Sequence, residues 1–166
     1  MILLRGLLFN FFFYGVTAVF CIVFIPTLFF SRNVILWVTC FWLNTVAWIE
    51  KHILGLHYEV RGKENIPTDT NYILAAKHQS AYETMKLHHL LGDPTVVLKK
   101  ELLSIPIFGL FLKKIGVIAI DRNSKEAAIQ SLIDGAKQMK HKKRPIVIFP
   151  QGTRVAPHMS LSLIHI

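Results

Sequence analysis

The segment Lys77-His78-Gln79-Ser80-Ala81-Tyr82-Glu83-Thr84 holds the residues best suited to proton transfer. An imidazole that titrates near neutrality can take a proton from an alcohol as the oxygen attacks a carbonyl. A carboxylate on its second ring nitrogen would fix the tautomer and stabilise the imidazolium. His78 and Glu83 offer that pair. On a regular helix, residues five apart point about 140° away from each other, so the pairing requires His78 to precede the helix that carries Glu83. Ser80 is an alternative nucleophile, but no Gly-x-Ser-x-Gly elbow surrounds it, and a base acting directly on an acceptor alcohol is the simpler chemistry.

A second set of residues is cationic. Lys99 and Lys100 open the run Lys-Lys-Glu-Leu-Leu-Ser-Ile-Pro, Arg122 follows Asp121, and Arg154 ends Phe149-Pro150-Gln151-Gly152-Thr153-Arg154. The planar guanidinium fork suits a phosphate monoester, and cations converging from several loops would select a dianionic headgroup. In the last run Pro150 ends a strand and Gly152 permits a tight turn, while Gln151, Thr153 and Arg154 offer polar contacts there. Lys113, Lys114 and the cluster Lys140, Lys142, Lys143 and Arg144 read instead as solvated surface. Cys21 and Cys40 form no disulfide or metal-ligand pattern, so no metal site is expected.

The elements that must position these groups follow from residue 52 onward. Tyr58 to Arg61, Tyr72 to Ala76, Thr95 to Leu98, Val117 to Ile120 and Ile146 to Phe149 read as strands, rich in branched and aromatic residues and bounded by Gly, Pro or charge. Between the last two, Ala128, Ile129, Leu132, Ile133, Ala136 and Met139 recur at helical spacing, with Asn123 as expected cap and Glu126 three residues on. This rhythm predicts an α/β domain with a substantially parallel sheet. The candidate residues all follow predicted strands, where sites in such sheets form.

The first fifty residues have another character. Only Arg5, Arg32 and Glu50 are charged there, and Leu7 to Phe30 carries no charge at all. About 17–25 apolar residues suffice for a membrane helix, so this stretch is long enough, and Asn33 to Ile49 is borderline. Pro26 is expected to kink the first helix. The second stretch would lie along the interface or return as the other arm of a hairpin, with Trp37, Trp42 and Trp48 at headgroup level. A cleaved signal is disfavoured by the length of the run and by the further apolar segment after it. The remainder carries 17 Lys and Arg against 9 Asp and Glu. That excess suits an anionic membrane surface; no nucleic-acid motif accompanies it. The expected organisation is a membrane-anchoring helical segment over 1–50, a partial catalytic domain over 51–160, and a non-native tail over 161–166.

Taken in order and spacing, three blocks resemble the glycerolipid acyltransferase family, specifically the bacterial 1-acyl-sn-glycerol-3-phosphate acyltransferases. His78 to Glu83 resembles the family's His-x4-Asp block. Gly116-Val117-Ile118-Ala119-Ile120-Asp121-Arg122 resembles its Gly-x-x-Phe-Ile-Asp-Arg block, and Phe149 to Arg154 its Phe-Pro-Glu-Gly-Thr-Arg block. Arg61 to Pro67 and Lys99 to Leu102 look like segments that accompany them. The resemblance implies His78 as general base and Glu83 as its orienting carboxylate. It implies Arg122 and Arg154 as phosphate contacts, Gly152 and Thr153 as the acceptor loop, and Lys100 as a further phosphate contact.

It further implies transfer from an acyl thioester, on acyl carrier protein or coenzyme A, to the sn-2 hydroxyl of lysophosphatidic acid, forming phosphatidic acid without metal or redox cofactor. The bacterial inner membrane, with the catalytic domain on its cytoplasmic face, is the implied location. Glu83 and Gln151 depart from the family's aspartate and glutamate. They leave open another lysolipid acceptor, such as lyso-ornithine lipid, or a non-catalytic headgroup-binding protein. The family's further Val-Pro block is not found after Pro157, and Leu161-Ser162-Leu163-Ile164-His165-Ile166 reads like a translated transposon-type sequencing adapter. A longer native chain is therefore expected.

Overall fold

The computed structural model describes residues 1–68, 70–121, 124–139, 142–152 and 154. The chain falls into two compact units, Met1–Ile66 and Pro67–Ile166.

The first unit is a helical hairpin. Helix α1 spans Ile2–Val23 and α2 spans Arg32–Ile49, continued by a π-helical turn at Glu50–Leu54. The 22 residues of α1 extend about 33 Å at ~1.5 Å per residue, close to the thickness of a bilayer's hydrocarbon core. No α1 residue is buried, as suits an apolar helix surrounded by lipid. Ile2–Val23 and Arg32–Leu54 are both long and apolar enough to cross a membrane. Pro26 does not kink α1: the helix stops at Val23, and Pro26 lies in the separate 3₁₀ turn Ile25–Phe29 that reverses the chain. The arms run antiparallel, with Phe13 against Trp42, Phe20 against Phe41 and Phe24 against Trp37. Trp42 also donates from Nε1 to Thr17 Oγ1 at 3.1 Å, so this indole is a hairpin contact. Trp37 and Trp48 remain exposed.

The expected strand at Tyr58 to Arg61 does not form. These residues carry no regular secondary structure. Glu59 and Arg61, two residues apart and therefore on one side of an extended chain, pair with each other in solvent, Nε to Oε1 at 3.0 Å.

In the second unit, β1 (Ile73–Ala75), α3 (Tyr82–Leu91), β2 (Thr95–Lys99), α4 (Phe108–Ile115), β3 (Ile118–Ile120), α5 (Lys125–Met139) and β4 (Ile146–Ile148) follow in sequence. All strand pairs are parallel, and the order across the sheet is β1-β4-β2-β3. The last strand thus inserts between the first two, with Ala75 beside Ile148 and Thr95 beside Ile146. Being central, β4 is well covered, and Val147 is fully buried, whereas Ile73 on edge strand β1 is 62% exposed. Ile118, Met139 and Ile146 form a core cluster with Val97, Leu132, Ala136 and Ile148 packed on it. Of the apolar stripe predicted for α5, Leu132, Ala136 and Met139 make that packing, whereas Ile129 and Ile133 are exposed. Its cap differs: Ser124 Oγ accepts the Ala127 N–H at 3.0 Å, one residue later than the expected Asn123, which lies outside the described residues.

Arg144 corrects another expectation. Far from being solvated, it is only 6% exposed. Its guanidinium meets Asp93 Oδ1 at 3.0 Å and donates to the carbonyls of Asp93, Pro94 and Gly116 at 3.2, 3.2 and 3.3 Å. One cation thereby ties together the loops that lead into β2, β3 and β4, at the edge of the sheet opposite the candidate residues.

Candidate active site

Because every strand points the same way, the segments after β1, β2, β3 and β4 emerge on one edge of the sheet. They bring His78, Lys100, Asp121 and the Phe149–Gly152 run to that edge.

His78 stands in the loop between β1 and α3, ahead of the helix, as the pairing requires. Its Nδ1 lies 2.7 Å from Glu83 Oε1. The carboxylate is heavily committed. Oε1 also accepts the N–H groups of Gln79 and Ser80 at 2.8 and 2.9 Å, and Oε2 accepts the Ser80 hydroxyl at 2.9 Å. Ser80 Oγ in turn accepts the Tyr82 N–H at 3.0 Å. Ser80-Ala81-Tyr82-Glu83 is thus a capping arrangement in which the acidic residue reaches back to the start of its own helix. Burial pushes the Glu83 carboxyl upward, but the hydrogen bonds from the Ser80 backbone, its own backbone N–H, the His78 side chain and the Gln79 backbone outweigh that, and it ends below the usual carboxylate range. An ionised Glu83 requires the proton on Nδ1 of His78 and leaves Nε2 as the basic nitrogen. The Ser80 hydroxyl is engaged at the helix start, which argues against its use as a nucleophile.

Phe149 and Gln151 reach the same loop from β4. The Phe149 ring packs on the imidazole with centroids 4.3 Å apart. Gln151 is 5% exposed and accepts the His78 backbone N–H on Oε1 at 3.2 Å. The polar contact expected of Gln151 is thus made inward, to the His78 loop. Only the insertion of β4 beside β1 brings these residues together, and no local sequence signal marks it. Gly152 adopts φ 64°, the left-handed conformation, and its N–H closes a turn on Phe149 O at 2.9 Å.

Among the cationic residues, Lys100 donates from Nζ to Asp121 Oδ2 at 2.9 Å, joining the ends of β2 and β3. That hydrogen bond, with the Asp121 charge, raises the ammonium pKa further. Lys100 borders an open groove of about 400 Å³ that Asp121, Gln130 and Asp134 also line. Arg154 is exposed beyond β4. Arg122 and Thr153 lie outside the described residues.

A histidine with a carboxylate on Nδ1, presented beside a loop following the central strand of a parallel sheet, can act as base toward an alcohol. Comparison with known proteins is specific: a family model described as Acyltransferase matches residues 57–162. The chain belongs to the acyltransferase family. Acyltransferases named 1-acyl-sn-glycerol-3-phosphate acyltransferase are among its relatives. That of Pseudomonas aeruginosa is 40% identical over 114 residues, covering 69% of this chain and 44% of that protein. That of Saccharomyces cerevisiae is 34% identical over 146 residues, covering 86% of this chain and 45% of that protein. The chain spans less than half the length of these curated relatives. The crystal structure of the 1-acyl-sn-glycerophosphate (LPA) acyltransferase PlsC from Thermotoga maritima is similar with a TM-score of 0.66 at 24% identity, covering 99% of this chain and 68% of that one. At that identity the likeness supports the fold of this acyltransferase chain, its parallel sheet and its two apolar N-terminal helices.

Proposed function

We propose that this chain carries the acyl-accepting chemistry of a lysophosphatidic acid acyltransferase, esterifying the sn-2 hydroxyl of 1-acyl-sn-glycerol 3-phosphate to give phosphatidic acid in phospholipid biosynthesis. The observation that carries the reading is the His78–Glu83 pair at 2.7 Å in a chain of the acyltransferase family, whose relatives bear that name. His78 Nε2 takes the hydroxyl proton as the oxygen attacks the thioester carbonyl. The tetrahedral adduct collapses with a new C–O bond and a broken C–S bond, and the imidazolium returns its proton to the departing thiolate. Glu83 stabilises the imidazolium throughout. Lys100, Arg122 and Arg154 are assigned to the acceptor's phosphate, and Gly152 and Thr153 to the loop that shapes its site.

The donor is an acyl thioester of coenzyme A or acyl carrier protein, and the scheme uses neither metal nor redox cofactor. Residues 1–50 serve as anchor and 51–160 as catalytic part, held at the cytoplasmic face of a bacterial inner membrane. The test is to reconstitute the full chain in anionic vesicles with labelled lysophosphatidic acid and each donor in turn. Phosphatidic acid should form, and His78→Ala should stay on the vesicles while losing turnover. No product from lysophosphatidic acid with either donor, or undiminished turnover by the variant, would overturn the reading.

A further inference from the structure

We infer that Gln151 is a positioning residue for His78, acting through the backbone rather than through the imidazole. Its catalytic consequence rests on the acyl-transfer reading above; its structural consequence does not.

The loop from Ala76 to Ser80 has to hold an imidazole at 2.7 Å from a carboxylate. The sheet anchors its start, where Ala76 N–H bonds Ile148 O at 3.0 Å. Glu83 anchors its end, taking the Gln79 and Ser80 N–H groups. The His78 N–H lies between these anchors, and Gln151 Oε1, reaching over from β4, is what receives it. This amide is partly buried, and removing its acceptor leaves the N–H without the bond that fixes the middle of the loop.

Two details show that an acceptor, and not an amide as such, is required at position 151. Among the described residues the buried Gln151 Nε2 group has no hydrogen-bond partner, so there only the oxygen half of the carboxamide is used. The side chain is also nine-tenths or more buried, which removes contact with bulk water as the reason for a polar residue there. Phe149, two residues earlier, lays its ring against the imidazole, so the turn after β4 holds His78 by backbone and by ring face together. On this basis the family resemblance to Phe-Pro-Glu-Gly-Thr-Arg becomes intelligible at position 151: glutamate and glutamine share the oxygen that the His78 N–H needs.

Two variants separate these roles. Gln151→Met keeps the length and bulk but removes the acceptor, and Gln151→Glu keeps the acceptor. Amide hydrogen exchange at His78 and the His78 tautomer, read from imidazole ¹⁵N shifts of the full chain in micelles, need no turnover. Gln151→Met should accelerate exchange at His78 at least tenfold while Val96 and Val147 keep their protection, and should mix the tautomers. Gln151→Glu should hold exchange within about threefold of the parent and keep Nδ1–H. Unchanged His78 exchange in Gln151→Met overturns the inference. If that variant unfolds, with Val96 and Val147 also exposed, Gln151→Glu decides: retained His78 protection supports the acceptor role and lost protection refutes it. In turnover, Gln151→Met should lower kcat with little change in acceptor KM, and Gln151→Glu should restore it. A chain inactive toward lysophosphatidic acid that still shows the exchange pattern would refute the acyl-transfer reading and leave the positioning role intact.

Discussion

His78 Nδ1 lies 2.7 Å from Glu83 Oε1, and the carboxylate that holds the ring also closes the first turn of α3 through Ser80. Catalytic geometry and helix initiation are therefore one set of hydrogen bonds. Any movement of the α3 start moves the base.

Glu83→Gln separates the two roles. Glutamine also completes a capping arrangement of this kind, so α3 should start as before. The negative charge beside the imidazolium is gone, however, and turnover should fall by about 10²–10⁴-fold, the usual worth of positioned acid–base chemistry. Steady-state kinetics should place the loss in kcat. A variant with full kcat would remove Glu83 from the mechanism.

How much of this the sequence discloses depends on the distance over which each interaction acts. The His78–Glu83 pair and the need for His78 to precede its helix are legible because both residues lie in one short motif and helix geometry excludes the alternative. The strand–helix rhythm discloses the parallel sheet, since each strand carries its own branched residues. By contrast, Gln151 meets His78 across 73 residues, through the insertion of β4 between β1 and β2, which no local pattern encodes. Arg144 is misleading because its lysine neighbours suggest solvent, while its burial is set by loops around Asp93 and Gly116. Tyr58 to Arg61 has strand composition but forms no strand, because composition alone does not supply the pairing partner a strand requires.

Arg144→Met should loosen the second unit by about 3 kcal/mol, because the Asp93 carboxylate and three carbonyls lose their donor together. All three tryptophans lie before residue 49, so indole fluorescence would miss the change. Exchange at Val96 and Val147 reports it, with rates expected to rise about a hundredfold where opening is global. Parent-like protection would show that the four contacts are redundant.

Lys100→Gln should raise the KM for lysophosphatidic acid about tenfold, roughly 1.4 kcal/mol, with a smaller effect on kcat. Asp121 keeps Lys100 protonated by hydrogen bond and charge, so the contribution should stay flat between pH 6 and 9. Comparing monoacylglycerol as acceptor isolates the phosphate. An equal rise in KM for that uncharged acceptor would assign Lys100 to shaping the groove instead.

His88 should make the fold acid-sensitive. Burial is the main cause that lowers its pKa to about 4; Asp93 opposes the shift, and Arg144 and His89 add to it. The unfolded chain binds this proton near pH 6.5, the folded one only near 4, so between those values the unfolded state holds more protons and stability rises with pH. The neutral imidazole's full benefit is present above about pH 6.5 and is lost as pH falls toward 4, a span worth on the order of 3 kcal/mol. His88→Phe keeps an aromatic group of similar shape and removes the proton site. Amide exchange at Val147, corrected for intrinsic rate, should therefore show a shallower pH dependence in the variant across this window, with the two proteins diverging as the pH is lowered because only the parent loses protection. Equal slopes in parent and variant would mean that His88 is not the group that titrates.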